Sequence, residues 1–145
     1  MIKVEEMTSE ESQFLLREIG YGHLGCANQD GRPYVVPIHY AYDAPDIYIF
    51  TTEGMKTEYL DANPEVCLQV EDVRDATNWR SVIVNGRVER LTKPEDTEHA
   101  MQFITVRNPS LTPAISELWI DSSGRANVSV IYRISPYILS GRKTA

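Results

Sequence analysis

Cysteine and histidine are scarce here, with two and three residues among 145. Cys26 and Cys67 lie in apolar contexts, HLGCA and EVCLQV, which predict reduced thiols buried in strands. His23, His39 and His99 are too scattered to define a metal site, and no Cys/His spacing fits zinc. Basic residues are also in the minority, 14 against 21 acidic, for a formal charge of −7. Such a chain repels nucleic acid and anionic lipid, so neither is expected as a partner. The apolar runs are only strand-sized, so no membrane span is expected. The opening MIKVEEMTSEES carries acids where a signal peptide needs bases and an apolar run, which predicts a cytoplasmic protein. Internal repeats, low-complexity tracts and linkers are missing, so residues 1–145 are expected to form one domain. GxSxG, GxGxxG, HExxH and the Walker GxxxxGK[ST] are missing too, which removes the motifs that name an enzyme outright.

What is present is a hydrophobic fraction of 42%, enough for a core, distributed in short β-type segments. Thr8 or Ser9 can cap a first helix carrying Phe14, Leu15 and Ile19 on one side, ended by Gly20 or Gly22. Residues 22–27, 34–42, 47–52, 65–73, 79–91 and 127–134 read as six strands, rich in β-branched and aromatic residues. Gln29-Asp30-Gly31-Arg32 predicts a tight hairpin, since Asp-Gly supplies positive φ angles. Gly54 opens a short helix ended by Asn63-Pro64. Thr92 is expected to cap a third helix that begins KPED. Asn108 to Gly124 reads as a loop, with one helical turn at AISEL, and Pro136 should interrupt the last strand. Helices fall only at the start, after strand three and after strand five, without regular βαβ alternation. A mostly β fold, a closed six-stranded antiparallel barrel with helices packed outside, fits this order.

Three segments could carry chemistry. In Arg32–Tyr40, alternation puts Val36, Ile38 and Tyr40 on a core face and Val35, Pro37 and His39 on the other. A proline inside a strand predicts an edge, a bulge or a ligand-facing stretch, and amides left free there could bind a flat polar heterocycle. In Thr51-Thr52-Glu53-Gly54-Met55-Lys56 a strand runs into a helix start, where free amides, two hydroxyls and an ammonium could seat a phosphate. At Trp79-Arg80-Ser81, indole could cover an aromatic ligand and guanidinium could pair a phosphate. Each has a plainer reading: an edge strand, a capped helix start with a solvated lysine, and a strand start with a half-buried Trp.

Taken in this order, GHLGCANQDGRPYVVPIHYAYD, IYIFTTEGMKTEYLDANPEVCLQV and WRSVIVNGRVERL resemble the pyridoxamine-phosphate-oxidase-like flavin-binding split barrels. With the ending YRISPYILSGRK, the chain is most similar to their nitroimidazole-resistance subgroup, from about Gly22 to Ser140. The resemblance implies a homodimer with FMN at the subunit interface. It implies that the backbone of Val35, Val36, Pro37 and Ile38 faces the isoalloxazine ring. It also implies that Thr51, Thr52 and Lys56 hold the phosphate and that Trp79, Arg80 and Ser81 belong to the same site. Relatives in the wider superfamily bind deazaflavin or haem instead. No Trp follows Trp119, so the C-terminal Trp/Arg segment of vitamin B6 oxidases is absent and that activity is not expected. Two classes of function follow: a flavin reductase acting on a small electrophile such as a nitroaromatic, or a non-catalytic flavin-binding or sensing protein. His39 is the catalytic candidate, as proton donor; its alternative is a structural hydrogen bond to a neighbouring strand or subunit.

Overall fold

A computed structural model describes residues 1–107 and 129–145. Its elements, in chain order, are β1 Val4–Glu6, α1 Ser9–Ile19, β2 Tyr21–Ala27, β3 Pro33–Asp43 and β4 Asp46–Thr52. They continue as α2 Met55–Ala62, β5 Glu65–Asp75, β6 Asn78–Arg90, α3 Pro94–Arg107 and β7 Ser129–Thr144. The antiparallel sheet runs β1-β7-β4-β3-β2-β5-β6, and β6 returns to pair with β7. Six strands therefore close a ring, as the sequence predicts. The seventh, β1, is a three-residue addition to the far end of β7, with Val4 opposite Thr144.

Period-2 alternation builds the barrel interior. Leu24, Tyr40, Ile49, Leu68, Val70, Val82, Val84 and Ile134 are almost fully buried, and Leu15 and Leu16 of α1 and Leu60 of α2 pack with them. Each such side chain contributes roughly 1.5–3 kcal/mol by leaving water. A smaller cluster, Ala41, Tyr48, Ala100, Ile104 and Ile131, fixes α3 outside the ring. Helix α1 starts with a capping box: Glu11 N–H donates to the Thr8 hydroxyl and Thr8 N–H to the Glu11 carboxylate, both at 3.1 Å. Gly20 ends it at φ 78°.

Three local expectations change. The turn between β2 and β3 is wider than a two-residue hairpin. The Asn28 side chain accepts from Asp30 N–H at 3.0 Å and Arg32 N–H at 2.8 Å, and only Gly31 takes a positive φ. Helix α3 begins at Pro94 with Thr97 N–H donating to the Lys93 carbonyl, so Thr92 is not its cap. Strand β7 runs through Pro136 instead of stopping there. Gly86 faces Pro136 while Asn85 faces Ile138, so Tyr137 is the extra residue of a bulge that absorbs the missing N–H. A Cβ on Gly86 would meet the Ser135 carbonyl oxygen at 2.7 Å, which explains the glycine there. The expected Asn108–Gly124 loop and the start of the last strand at 127–128 lie outside the described residues.

Candidate functional site

The barrel is split between β3 and β4. These strands pair only from Tyr40↔Ile49 to Asp43↔Asp46. Before Tyr40, β3 pairs with β2 alone; after Ile49, β4 pairs with β7 alone. Tyr40 N–H donates to the Gly20 carbonyl. Backbone groups alternate sides in an antiparallel ladder, so Tyr34, Val36 and Ile38 also point theirs at β2. Pro33, Val35, Pro37 and His39 point theirs at the open edge. Both prolines thus fall where no described strand needs an N–H, while Val35 and His39 offer N–H groups and Val35 and Pro37 offer carbonyls. Ile38 is a core side chain at 4% exposure, Val36 packs partly against the core, and Val35 is 65% exposed on the opposite face.

Helix α2 spans the opening. Its Tyr59 ring lies 5.4 Å from that of Tyr34 on β3, and Lys56 Nζ donates to the Thr51 hydroxyl of β4 at 2.9 Å. Gly54 N–H donates to the Thr57 hydroxyl at 2.9 Å, which shapes the first turn and aims Lys56 back toward the strand. Burial holds the Lys56 ammonium below the usual lysine range. Among the described residues no carboxylate pairs with it; it interacts electrostatically with the Cys26 thiol, which burial pushes up and Lys56 partly pulls down. A half-buried cation without a counter-charge is costly unless an anion joins it. Thr52 ends β4 opposite Ser129.

Trp79, Arg80 and Ser81 are elsewhere in the same chain. Arg80 and Trp79 face Asp72 and Val73 on β5, whereas Cys26 next to Lys56 lies on the row of Val66. Six or seven residues of strand separate those rows, about 20 Å at ~3.3 Å per residue. Arg80 is already paired, Nη2 reaching Asp72 at 2.7 Å and Glu18 at 3.4 Å. Trp79 is half-buried, and its backbone N–H donates to the Thr144 hydroxyl at 3.1 Å.

Ser81 faces outward and joins a polar chain that strand patterning does not reveal. The Gln69 amide nitrogen donates to the Ser81 hydroxyl at 3.1 Å and to Glu71 at 3.2 Å, and its oxygen lies 3.3 Å from His23 Nδ1. His23 sits directly opposite Pro37. Next to it the exposed Tyr21 ring meets His39 edge-on at 5.5 Å. Only alternation could have put His23 and His39 on one face; their proximity needs the β2–β3 register. This outer face also carries Val35, Ile83, Tyr137 and Ile138 exposed, and a groove of about 370 Å³ floored by Gly25 between Val35 and Cys67.

Six antiparallel strands closed into a ring that is split between β3 and β4 define a split β-barrel. The chain belongs to the pyridoxamine 5'-phosphate oxidase family, whose model matches residues 8–143. A solved FAD-binding protein from Mesorhizobium loti is 31% identical, covering 100% of this chain and 99% of its own at a TM-score of 0.78. A protein from Bacteroides thetaiotaomicron provisionally assigned to 5-nitroimidazole antibiotic resistance is 18% identical, covers 99% of this chain and 89% of its own, and has a TM-score of 0.75; it shows the shared fold. An uncharacterised protein of Rhizobium meliloti is 33% identical over 96 residues, 66% of this chain; the match spans 63% of that relative's length. Among the described residues no helix is long and apolar enough to cross a membrane.

Proposed function

We propose that the protein binds FMN, as a homodimer, and reduces a small electrophile such as a nitroaromatic. One observation carries this reading: the half-buried Lys56, paired with a hydroxyl and, among the described residues, with no carboxylate, at the end of an open strand edge. A phosphate there would supply the missing counter-charge, and Thr51 and Thr52 lie at the same strand end. The Val35 N–H, the Val35 and Pro37 carbonyls and the His39 N–H form a row of two acceptors flanked by donors along the open edge. Such a row suits the polar edge of an isoalloxazine ring. When bound, a flavin supplies the two-electron chemistry; the protein supplies orientation and electrostatics. A reduced nicotinamide cofactor would serve as electron donor, giving a hydride to the flavin.

The homodimer rests on the outer face. Exposed Ile83 on β6 and Tyr137 and Ile138 on the adjacent β7, with Val35 on β3 across β2 and β5, make an apolar surface of the kind that a twofold partner covers. In such a dimer, Trp79, Arg80 and Ser81 of one subunit can approach the site of the other, which would reconcile their distance from Lys56 within one chain. FAD is the second reading, favoured by the 31% identical FAD-binding relative; it too would place a phosphate at Lys56.

The experiment is to purify the protein, record its visible spectrum and identify the released cofactor by mass. A flavin spectrum with FMN released supports the proposal, and FAD selects the second reading. Failure to take up any flavin rejects both. Light scattering that shows a monomer at micromolar concentration with flavin still tightly held rejects the interface. Flavin that reduced nicotinamide reduces but no acceptor reoxidises assigns the protein to non-catalytic binding.

A further inference from the structure

Arg90 is the most heavily engaged cation among the described residues, and neither the strand pattern nor the fold explains why. It ends β6 and reaches both ends of α2. Nη1 donates to Glu53 at 2.7 Å and Nη2 to the other Glu53 oxygen at 3.2 Å; Nη2 also donates to Asp61 at 2.8 Å and to the Tyr132 hydroxyl at 3.0 Å. Glu53 immediately precedes the Gly54 cap, and Asp61 lies in the last turn of the eight-residue helix. The Tyr132 hydroxyl donates to the other Asp61 oxygen at 2.8 Å, and the guanidinium sits 5.4 Å from the Tyr132 ring centre. Burial, then the Asp61 bond, pushes the Tyr132 hydroxyl up to about 12, so it stays a donor throughout the neutral range. The Arg90 fork holds the Glu53 carboxyl below its ordinary range.

Two consequences for Lys56 follow. The first is geometric. Glu53 also accepts from the Thr57 hydroxyl at 2.9 Å, and Thr57 in turn bonds both the Gly54 N–H and its carbonyl. Arg90 therefore fixes the turn that contains Lys56 through Glu53, and fixes the roll of the helix through Asp61. The second is electrostatic. Glu53 and Asp61 flank the segment on which Lys56 stands, and unpaired they would repel a phosphate dianion brought to it. Arg90 pairs with both through Nη1 and Nη2, and only its buried Nε is left without a partner.

From this we infer that Arg90 is the positioning residue of the phosphate seat: it acts through Glu53 and Asp61 to make the Lys56 end of α2 selective for a phosphorylated flavin. The inference rests on the phosphate reading of Lys56. The test compares FMN with riboflavin, which share the ring and differ in the phosphate. Fluorescence titration of the cofactor-free protein gives both dissociation constants for wild type, Arg90→Met and Arg90→Lys, with melting temperatures alongside. The expected result is a loss of FMN affinity of about ten- to a hundredfold in Arg90→Met, the size of a misplaced charge-assisted bond. Riboflavin affinity should stay within about twofold, since no charge-assisted bond is lost to it. Arg90→Lys, which keeps the charge but not the planar fork, should fall between. If Arg90 were merely structural, both ligands would weaken together or the melting temperature alone would fall, and either result overturns the inference. Should Arg90→Met fail to fold, the FMN-to-riboflavin ratio of Arg90→Lys decides: a wild-type ratio overturns the assignment. A wild-type ratio near one overturns the phosphate seat itself and this inference with it. A high wild-type ratio that survives both substitutions overturns Arg90 alone.

Discussion

Lys56 and Arg80 are cations of two motifs that sequence reading groups together, and the structure treats them oppositely. Lys56 is half-buried, bonded to the Thr51 hydroxyl, and has no carboxylate beside it among the described residues. Arg80 stands some six strand residues away between Asp72 and Glu18, with its guanidinium held above its ordinary pKa, chiefly by the Asp72 bond. A cation with two carboxylates is electrostatically complete in the folded chain; a cation with none is complete only with an anion. A basic residue in a motif is therefore informative about ligands only once its counter-charges are known, and those come from strands distant in sequence.

The largest expected effect lies between the two ends, on the outer face. His39 is exposed there, its ring meeting Tyr21 edge-on, and its backbone belongs to the open edge. As the proton donor of the proposed reduction, His39→Gln should leave flavin binding intact while acceptor turnover falls by roughly 10²–10⁴-fold. Steady-state rates beside a flavin titration check this. Normal turnover removes the role, and lost flavin or lost dimerisation would make His39 structural.

Next in size is the direct contest of the two cations. Lys56→Ala should weaken FMN by one to two decades, about 1.5–3 kcal/mol for a lost charge-assisted bond, and leave riboflavin unchanged. Thr51→Ala should cost less, about two- to tenfold, as a neutral hydrogen bond does. Arg80→Ala should change FMN affinity by less than about threefold, since its guanidinium is already paired with Asp72 and Glu18. The reverse ranking, with Arg80 dominant, would move the phosphate to a seat completed by the partner subunit.

The degree to which sequence anticipates each region follows from the range of its interactions. Lys56 and Thr51 are five residues apart on one strand–helix junction, so their proximity is local and the motif predicts it. The alternation of Val36, Ile38 and Tyr40 against Val35, Pro37 and His39 is equally local, and burial follows it. The Arg90 clamp joins residues 29, 37 and 42 positions apart, and the Gln69 chain spans three strands; only the register creates them. The same holds for the separation of Trp79-Arg80-Ser81 from Lys56. Pro136 misled locally because the glycine that accommodates it, Gly86, lies on another strand.

The smallest effect tests the Lys56 side alone, without ligand. Burial lowers the Lys56 pKa from its ordinary 10.5, so in the folded apo-protein this lysine binds its proton less tightly than in the unfolded chain. Between the lowered value and 10.5 the unfolded state holds more protons, and there stability rises with pH. Below the lowered value the penalty for a buried, unpaired ammonium is fully present; above 10.5 it is gone. Lys56→Met should remove this slope and stabilise the neutral apo-protein slightly, whereas Arg80→Met, which breaks satisfied pairs, should not. Urea denaturation of the apo-protein at several alkaline pH values, wild type against Lys56→Met, measures the difference. FMN should reverse the sign in wild type, because a bound phosphate stabilises the ammonium and raises its pKa. Stability of the FMN complex should then fall as pH climbs through that raised value. Identical pH slopes in wild type and Lys56→Met would show that Lys56 is solvated after all, and the contrast with Arg80 would lose its physical basis.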